Sequence, residues 1–276
     1  MNSEEKGCKR DSSQLTFSDH EMYMRRCFKL AQLGNGQVSP NPMVGALVVH
    51  EKRIIGQGFH AACGEAHAEV NALNSVRDAD RHLIPQSRIY VSLEPCNHYG
   101  KTPPCTEFIL RSEIRQLIYS CCDPNPIMAG KSIAYLSSSG VRVIGPILEN
   151  EGLDLIRAFR TNILQERPYV LLKFAQTADF YMGLNTQRIK ISNSLSDLLV
   201  HKWRAETDAL VIGKRTLLTD NPLLTTRLWL GKNPVRIVLG DLEPQERKKF
   251  KIFEGKENVL TLSELGQTRF IEPSDF

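Results

Sequence analysis

Short apolar runs that alternate with helix-like segments constrain the fold of this chain more than any other feature. The strand-like runs are residues 43–49, 53–60, 88–93, 116–120 and 141–145. Helical patterns occupy residues 67–76, residues 104–114 and a segment before Gly140. Strands that alternate with helices favour a layered α/β domain, and the first two runs are close enough to form a hairpin.

The alternation continues beyond the middle of the chain. Strand-like runs at 169–175, 208–213 and 234–240 surround a helical pattern at 195–205. A helix predicted from Leu153 to Leu164 ends before Arg167 and Pro168, which indicates a join between two domains there. We expect a flexible tail at 1–17, a first domain at 18–148 and a second α/β domain at 149–276.

A helix start is expected where structure first becomes recognisable. Ser18 and Glu21 form the S-x-x-E pattern of a capping box, and Met24, Cys27 and Phe28 follow at helical spacing. The sequence therefore predicts that the first helix begins at Ser18.

Composition excludes several classes of protein. The chain has 276 residues, of which 41% are hydrophobic and 24% are charged, so a folded globular chain is expected rather than global disorder. The longest apolar runs fall far short of the ~20 residues of a membrane-spanning helix. A net charge of +4 is too small to indicate nucleic-acid binding. The polar first residues lack a secretion signal, so a cytoplasmic location is expected.

Four residues form the sharpest chemical pattern. His67 and Glu69 lie in an H-x-E triplet, Cys96 follows a proline, and Cys105 begins a predicted helix. One imidazole and two thiolates are good zinc ligands, and three protein ligands leave a fourth position for water. Glu69 is then expected to move a proton from that water to a substrate ring and to the departing amine, as in zinc deaminases of nucleobases.

Three interpretations of this pattern differ in class. The first is a zinc hydrolase acting on a small phosphorylated pyrimidine. The second is a deaminase of nucleic-acid bases or cytidine, but only 7% of the residues are aromatic and the basic residues are scattered. The third is a noncatalytic scaffold with closed structural zinc, which needs a fourth ligand such as His60, Cys63 or His98. With seven cysteines and no export signal, metal binding or burial is favoured over disulfides.

Several motifs resemble those of one family. They are SPNPMVGALVV, GFHAACGEAHAEVNAL, SLEPCNHYGKTPPC and DPNP, between about Met22 and Gly145. Together they resemble the deaminase half of the bifunctional riboflavin-biosynthesis deaminase/reductases, which acts on diaminohydroxyphosphoribosylaminopyrimidine and releases ammonia. The resemblance implies a cytidine-deaminase-like three-layer α/β/α domain, with His67, Cys96 and Cys105 as zinc ligands and Glu69 as the proton shuttle.

Other residues of these motifs have two readings. Asn41, between two prolines, either presents its amide to the substrate ring or serves only a turn. His60 is either a polar contact in the substrate pocket or a buried, hydrogen-bonded imidazole. Asp123 and Asn125 of the DPNP motif are explained by turn chemistry alone as well as by a site.

The second half is similar to the reductase half of the same family, which uses NADPH. The resemblance implies a dihydrofolate-reductase-like α/β domain, and the cofactor rests on it alone because no G-x-G-x-x-G follows a strand. Positions associated with the cofactor are Ala175, Thr216 and Asp220, and positions associated with substrate are Arg204, Leu224 and Arg227. Both arginines suit a phosphate group, since a guanidinium forms paired hydrogen bonds with it.

The second half also departs from the family. Phe180 stands where many members have glycine, and the chain ends at Phe276, before a Glu-Gly-Gly segment of the family cofactor site. We therefore expect a C-terminally incomplete reductase domain, with reduction weak or absent. An apolar face left exposed there favours pairing with another chain, such as a homo-oligomer, while nucleic-acid and membrane partners are not expected.

Overall fold

A mixed five-stranded sheet organises the first half of the chain. The computed structural model describes residues 15–99, 103–183, 189–254 and 259–265. The strands are β1 (Gly45–His50), β2 (Arg53–Phe59), β3 (Arg88–Val91), β4 (Gln116–Tyr119) and β5 (Arg142–Ile144), in the spatial order β2-β1-β3-β4-β5. Strand β1 is antiparallel to β2 and β3, whereas β3, β4 and β5 are parallel. The predicted hairpin and the predicted strands are confirmed.

Helices cover both faces of this sheet. They are α1 (Phe17–Ala31), α2 (Ala68–Asn74), α3 (Cys105–Arg111) and α4 (Lys131–Ser138). Successive residues of β1 point to opposite faces, so that Val48 packs with residues of α2, α3 and α4, while Leu47 packs with residues of α1. The result is the three-layer α/β/α arrangement expected from the sequence.

The first helix begins at Phe17, one residue before the predicted start, and its N-cap lies two residues before the predicted cap. Thr16 is its N-cap, because the Thr16 side chain accepts a hydrogen bond from the Asp19 backbone N–H and Asp19 reciprocates at the Thr16 backbone. The prediction of Ser18 as the cap was wrong, since Ser18 lies in the first turn. Aspartate at the third helical position completes the capping box here, a variant of the Glu or Gln pattern.

Two short helices follow the first sheet. A single helix was predicted there, but the structure has α5 (Glu149–Leu155) and α6 (Arg157–Gln165), separated at Ile156. Ile156 packs against Leu93 and Cys121 of the first sheet's loops. The chain accordingly divides into compact units Met1–Tyr169 and Val170–Phe276, close to the join predicted at Arg167 and Pro168 and beyond the boundary expected after residue 148. Residues 1–14 of the expected tail lie outside the described residues.

The second unit contains a parallel three-stranded sheet in the order β6-β7-β8. Its elements are α7 (Ser194–Glu206), β6 (Ala209–Gly213), α8 (Lys214–Asp220), β7 (Val235–Leu239), α9 (Pro244–Arg247), β8 (Val259–Thr261) and α10 (Leu262–Leu265). A small core forms around Leu217, Val238 and Ile252. This α/β unit confirms the expected architecture of the second half.

One predicted strand of the second half does not form. Residues 169–175 are described but belong to no helix or strand. An apolar run becomes a strand only when another strand accepts its hydrogen bonds, and none of the described strands pairs with this run. Leu172 is 82% exposed in consequence.

Exposed apolar side chains are concentrated in the second unit. They include Leu171, Phe174, Trp203, Trp229 and Leu230. Such a concentration is typical of a surface that another polypeptide covers. Among the described residues, none of the helices has the length and apolar character needed to cross a bilayer.

Candidate functional site

The metal-ligand candidates lie at the ends of elements that the sheet fixes in place. His67 is the N-cap of α2, and Cys105 is the first residue of α3. Cys96 lies in the loop that leaves the carboxyl end of β3. Helix α2 lies directly against β2, since a Cβ added at Gly58 would come within 2.3 Å of the Ala72 backbone nitrogen. This close approach fixes where His67 begins the helix.

The three side chains converge on one point. His67 Nδ1 lies 3.5 Å from Cys96 Sγ and 3.3 Å from Cys105 Sγ. All three ligand atoms lie within 4.8 Å of one another. Tetrahedral zinc with its usual bond lengths separates sulfur and nitrogen ligands by about 3.6 Å. The donor set and its spacing therefore fit a zinc ion.

No fourth protein ligand joins the cluster among the residues that the structure describes. His60 is engaged elsewhere, because its Nδ1 lies 3.2 Å from the Ala66 carbonyl and its Nε2 lies 3.1 Å from Asn41 Nδ2. Cys63 is exposed, and neither it nor His98 belongs to the cluster. Three protein ligands with an open position are typical of catalytic zinc.

The two cysteines are electrostatically unequal. The pKa of the Cys96 thiol is lowered to about 4, chiefly by the hydrogen bond to the Cys105 side chain and also by His67. Burial opposes this lowering. Hydrogen bonding to Cys96 in turn raises the pKa of the Cys105 thiol and of the His67 imidazole. The backbone N–H of Cys105 also donates to Cys96 Sγ at 3.3 Å. Cys96 is thus prepared as the thiolate that zinc requires.

Glu69 lies beside this cluster in the first turn of α2. Its side chain is only 3% exposed, and burial raises the pKa of its carboxyl to about 7, with the negative charge of Cys96 as the next cause. The pKa is held down by His67 and by a hydrogen bond to the Cys105 side chain. A buried carboxyl with a pKa near neutrality is suited to both taking up and releasing a proton.

Asn41 and His60 form a pair next to the cluster. The hydrogen bond from His60 Nδ1 to the Ala66 carbonyl leaves His60 Nε2 as an acceptor for the Asn41 amide. The rings of His60 and His67 meet edge to face at a centroid distance of 5.3 Å. The structure therefore brings Asn41 and His60 together with His67.

The DPNP segment forms consecutive turns. Asp123 Oδ1 accepts a hydrogen bond from the Asn125 backbone N–H at 2.8 Å, and Asn125 Oδ1 accepts one from the Ile127 N–H at 3.0 Å. These are the turn contacts expected of such side chains. The Asn125 amide nitrogen retains its two donors for other partners.

The candidate substrate residues of the second unit meet at one loop. Arg204 Nη1 donates to the Thr225 carbonyl at 3.0 Å, while Arg227 Nη1 lies 3.5 Å from Thr225 Oγ1. Leu224 is buried in the loop with a left-handed φ of 58°. Burial lowers the pKa of Arg204, and the nearby charge of Arg227 lowers it further. Two guanidinium groups this close favour an anion between them.

The candidate cofactor residues are less closely associated. Thr216 and Asp220 lie four residues apart on one face of α8. Ala175 lies in the irregular run 169–175, and no hydrogen bond of the described residues joins it to that helix. Phe180, where many family members have glycine, has a left-handed φ of 67°. A glycine suits that conformation better than a bulky side chain.

Two buried polar residues near the candidate sites were not predicted from the sequence. His201, one helical turn before Arg204, accepts hydrogen bonds at Nδ1 from the backbone N–H groups of Arg227 and Leu228. Glu94 is 4% exposed and accepts hydrogen bonds from a segment that begins 29 residues later. His201 has a detectable sequence signal, its i, i+3 spacing to Arg204, whereas Glu94 has none beyond its place before Pro95 and Cys96.

Comparisons with known proteins agree with this arrangement. Residues 17–121 match the cytidine and deoxycytidylate deaminase zinc-binding region, and residues 168–269 match the RibD C-terminal domain. The first match supports zinc as the cofactor of the His67 cluster. The second implies NADPH for the second unit.

Sequence similarity to relatives extends across both units. The chain is 40% identical to the riboflavin biosynthesis protein RibD of Aquifex aeolicus over 246 residues, which are 88% of this chain and 68% of that protein. It is 40% identical to RibD of Bacillus amyloliquefaciens over 221 residues, which are 79% of this chain and 58% of that protein. The chain therefore spans about three fifths to two thirds of the length of these relatives.

The crystal structure of a diaminohydroxyphosphoribosylaminopyrimidine deaminase/5-amino-6-(5-phosphoribosylamino)uracil reductase from Thermotoga maritima has a similar fold. It is 39% identical, with a TM-score of 0.82, and the match covers 89% of this chain and 70% of that one. Identity at this level over both units confirms the cytidine-deaminase-like first domain and the reductase-type second domain. The chain belongs to the RibD family of bifunctional riboflavin biosynthesis proteins.

Proposed function

We propose that the first unit catalyses the hydrolytic deamination of diaminohydroxyphosphoribosylaminopyrimidine, a step of riboflavin biosynthesis. The observation that carries this proposal is the cluster of His67, Cys96 and Cys105, with Glu69 buried beside it. The related Thermotoga maritima protein bears the name of this deaminase. The substrate is thus a small phosphorylated pyrimidine.

Three side chains hold zinc in this proposal: His67 through Nδ1, and Cys96 and Cys105 through sulfur. Zinc bound there lowers the pKa of water and so supplies the nucleophile near neutral pH. Cys96 contributes its negative charge, which the surrounding hydrogen bonds stabilise. Cys105, the first residue of α3, sets the distance between that helix and His67.

Glu69 moves the protons of the reaction. Its carboxylate takes a proton from the attacking water and delivers it to the ring nitrogen, while a C–O bond forms at the amine-bearing carbon. A second proton from the same water passes through Glu69 to the amine, the C–N bond breaks, and ammonia leaves as the ring carbonyl forms. Burial raises the pKa of the Glu69 carboxyl above its usual value, which suits a group that must return each proton it accepts.

Asn41 and His60 orient the ring. The Asn41 amide nitrogen donates to His60 Nε2, which leaves Asn41 Oδ1 to accept a hydrogen bond from the substrate's polar edge. His60 holds Asn41 in this orientation and excludes water from one side of the site, since it is only 3% exposed.

The second unit binds the phosphorylated sugar and NADPH in this proposal. Arg204 and Arg227 bind the phosphate, Leu224 shapes the loop between them, and Ala175, Thr216 and Asp220 contact the cofactor. The closeness of the two guanidinium groups supports the phosphate assignment. Weak or absent reduction stays a prediction, measured as NADPH oxidation with the deaminated product as substrate.

Ammonia release by the purified, zinc-loaded chain tests the proposed function. Ammonia is expected from diaminohydroxyphosphoribosylaminopyrimidine, in an amount equal to the substrate consumed, and not from cytidine or single-stranded DNA. Release from the polynucleotide alone favours the nucleic-acid deaminase. A stoichiometric zinc ion without ammonia release from any of them contradicts the proposal and favours a noncatalytic scaffold.

Two properties of the whole chain remain proposals. The exposed apolar side chains of the second unit support a homo-oligomer, which sedimentation of the purified chain tests. The cytoplasmic location expected from the first residues is tested by cell fractionation.

A further inference from the structure

Glu94 is a buried carboxylate with no part in the mechanism derived above. It is the second residue before Cys96 and follows the carboxyl end of β3. Its backbone N–H donates to the Cys121 carbonyl at 2.9 Å, which ties the Cys96 loop to the loop that follows β4. Since β3 and β4 are parallel, both loops leave the same edge of the sheet, the edge where α/β folds bind ligands.

The Glu94 carboxylate binds donors of residues 123–132 and also contacts the thiol of the preceding Cys122. Its Oε2 accepts hydrogen bonds from the backbone N–H groups of Asp123 at 3.1 Å and Gly130 at 2.9 Å. Its Oε1 accepts from the Ser132 N–H at 3.1 Å and from Ser132 Oγ at 2.6 Å. Both ends of the segment are therefore held by one side chain that is 4% exposed.

The held segment begins two residues after Cys121, whose carbonyl accepts the hydrogen bond from the Cys96 loop. Burial raises the pKa of the Asp123 carboxyl, and the charges of Glu94 and Cys96 raise it further, while Asn125 and His98 lower it. Asp123 thus lies within electrostatic range of Cys96. Between Asp123 and Ala129 the other hydrogen bonds of the segment lie within its own turns and the start of α4, so Glu94 is the side chain that ties these turns to the Cys96 loop.

We propose that Glu94 is a positioning residue of the deaminase site, which fixes the 123–132 segment as a substrate-facing wall beside the Cys96 loop. The inference rests on the proposed function for its kinetic consequence, but not for the structural one. Glu94 acts through the segment and does not touch the reacting atoms. Its loss therefore weakens substrate binding more than turnover and leaves the zinc ligands in place.

Glu94→Gln separates this role from simple stability. The carboxamide keeps one acceptor oxygen and replaces the other with an NH₂ group, which cannot accept from the backbone donors. We expect one zinc ion per chain, a KM raised about tenfold or more, and a smaller fall in kcat. The tenfold change in KM is the scale expected for losing hydrogen bonds to a charged group. Amide hydrogen exchange should accelerate in residues 123–132 but not in α1.

Two further variants serve as comparisons. Ser132→Ala removes one of the four hydrogen bonds, so a smaller acceleration of exchange is expected in the same segment, and this variant decides the question if Glu94→Gln does not fold. Leu30→Ala in α1 creates a cavity on the opposite face of the sheet, so it lowers stability without changing KM.

The proposal is overturned if Glu94→Gln and Leu30→Ala have the same KM, or if exchange in 123–132 is unchanged in both Glu94→Gln and Ser132→Ala. It is also overturned if Glu94→Gln loses zinc together with activity, because the residue then supports the ligands alone. If the wild-type chain releases no ammonia, the proposed function fails, while the exchange measurements still decide whether Glu94 holds the segment.

Discussion

At the scale of single residues, Glu69 is buried and contacts Cys105, and burial raises the pKa of its carboxyl to about 7. Glu69→Gln keeps the size of the side chain and removes its ability to carry a proton. We predict that ammonia release falls by about 10²- to 10⁴-fold, the usual contribution of general acid–base catalysis, with zinc content unchanged. Glu65→Gln, the same change at an exposed neighbouring position, is the control and should retain activity. Full activity in Glu69→Gln would show that Glu69 has another role.

His20 gives a pH-dependent prediction. Its Nδ1 lies 2.8 Å from the hydroxyl of buried Tyr90, and burial lowers the pKa of the imidazole below 6.5, with Arg88 and Arg142 adding to the effect and Asp19 opposing it. Below pH 6.5 the unfolded chain takes up a proton that folded His20 resists, so the free energy of unfolding falls as the pH decreases.

The comparison variant for that effect is His20→Gln, which does not titrate. The stability advantage of the wild type over this variant should be larger at pH 8 than at pH 5, as measured by urea unfolding at both pH values. An advantage that grows on acidification would mean that folding raises the pKa of His20, contrary to the structure.

The convergence of His67, Cys96 and Cys105 could be predicted from the sequence, because imidazole and thiol side chains in an H-x-E and P-C pattern are visible there. The partners of Glu94 could not, since three of its four hydrogen bonds come from backbone N–H groups, which leave no residue-type signal in the sequence. The hydrogen bond between Asn41 and His60 joins a turn before β1 to the residue after β2, and the sequence left both side chains with two readings.

At the scale of elements, two substitutions distinguish the observed N-cap of α1, Thr16, from the predicted one, Ser18. Thr16→Ala removes the observed capping hydrogen bond and should lower the free energy of unfolding by about 1 kcal/mol. Ser18→Ala, in the exposed first turn, should change it by less than about 0.5 kcal/mol. Chemical denaturation of both variants measures the difference, and equal losses would contradict the observed cap.

The contact between β2 and α2 gives a second prediction at this scale. A Cβ at Gly58 would lie 2.3 Å from the Ala72 nitrogen and 2.7 Å from the Ala68 carbonyl oxygen, so Gly58→Ala must displace the helix that His67 begins. We expect a loss of about 1–3 kcal/mol in the free energy of unfolding, together with weaker zinc binding in a chelator competition.

Gly213→Ala is the control for that substitution, because an added Cβ there has no neighbour within 4 Å. It should leave zinc affinity unchanged. Unaltered zinc affinity in Gly58→Ala would show that α2 adjusts without moving His67.

Element prediction succeeded where local pattern and pairing agree. The central strands β1, β3 and β4 have apolar runs in the sequence and are largely buried in the structure, so pattern and fold coincide there. Residues 169–175 have an equally apolar pattern but no partner strand among those described. The predicted single helix at 153–164 is interrupted at Ile156, which packs against Leu93 and Cys121. Helix propensity does not include such a tertiary contact.

At the scale of the whole molecule, the two units differ in how they bury apolar surface. The first has apolar clusters on both faces of its sheet, and the second exposes many large apolar side chains. The order of the domains and their family could be predicted from motifs spread over the chain. A join near Arg167 and Pro168 was predicted as well, and the compact units divide close to it, between Tyr169 and Val170.

X-ray absorption at the zinc edge of the purified, full-length chain tests most directly whether the metal has an open position. We predict one zinc ion per chain with two sulfur ligands at about 2.3 Å and two nitrogen or oxygen ligands at about 2.0 Å, of which only one is an imidazole. The imidazole signal should persist in His60→Gln. A site with three sulfurs, or with two imidazoles and no water, would contradict the hydrolytic mechanism.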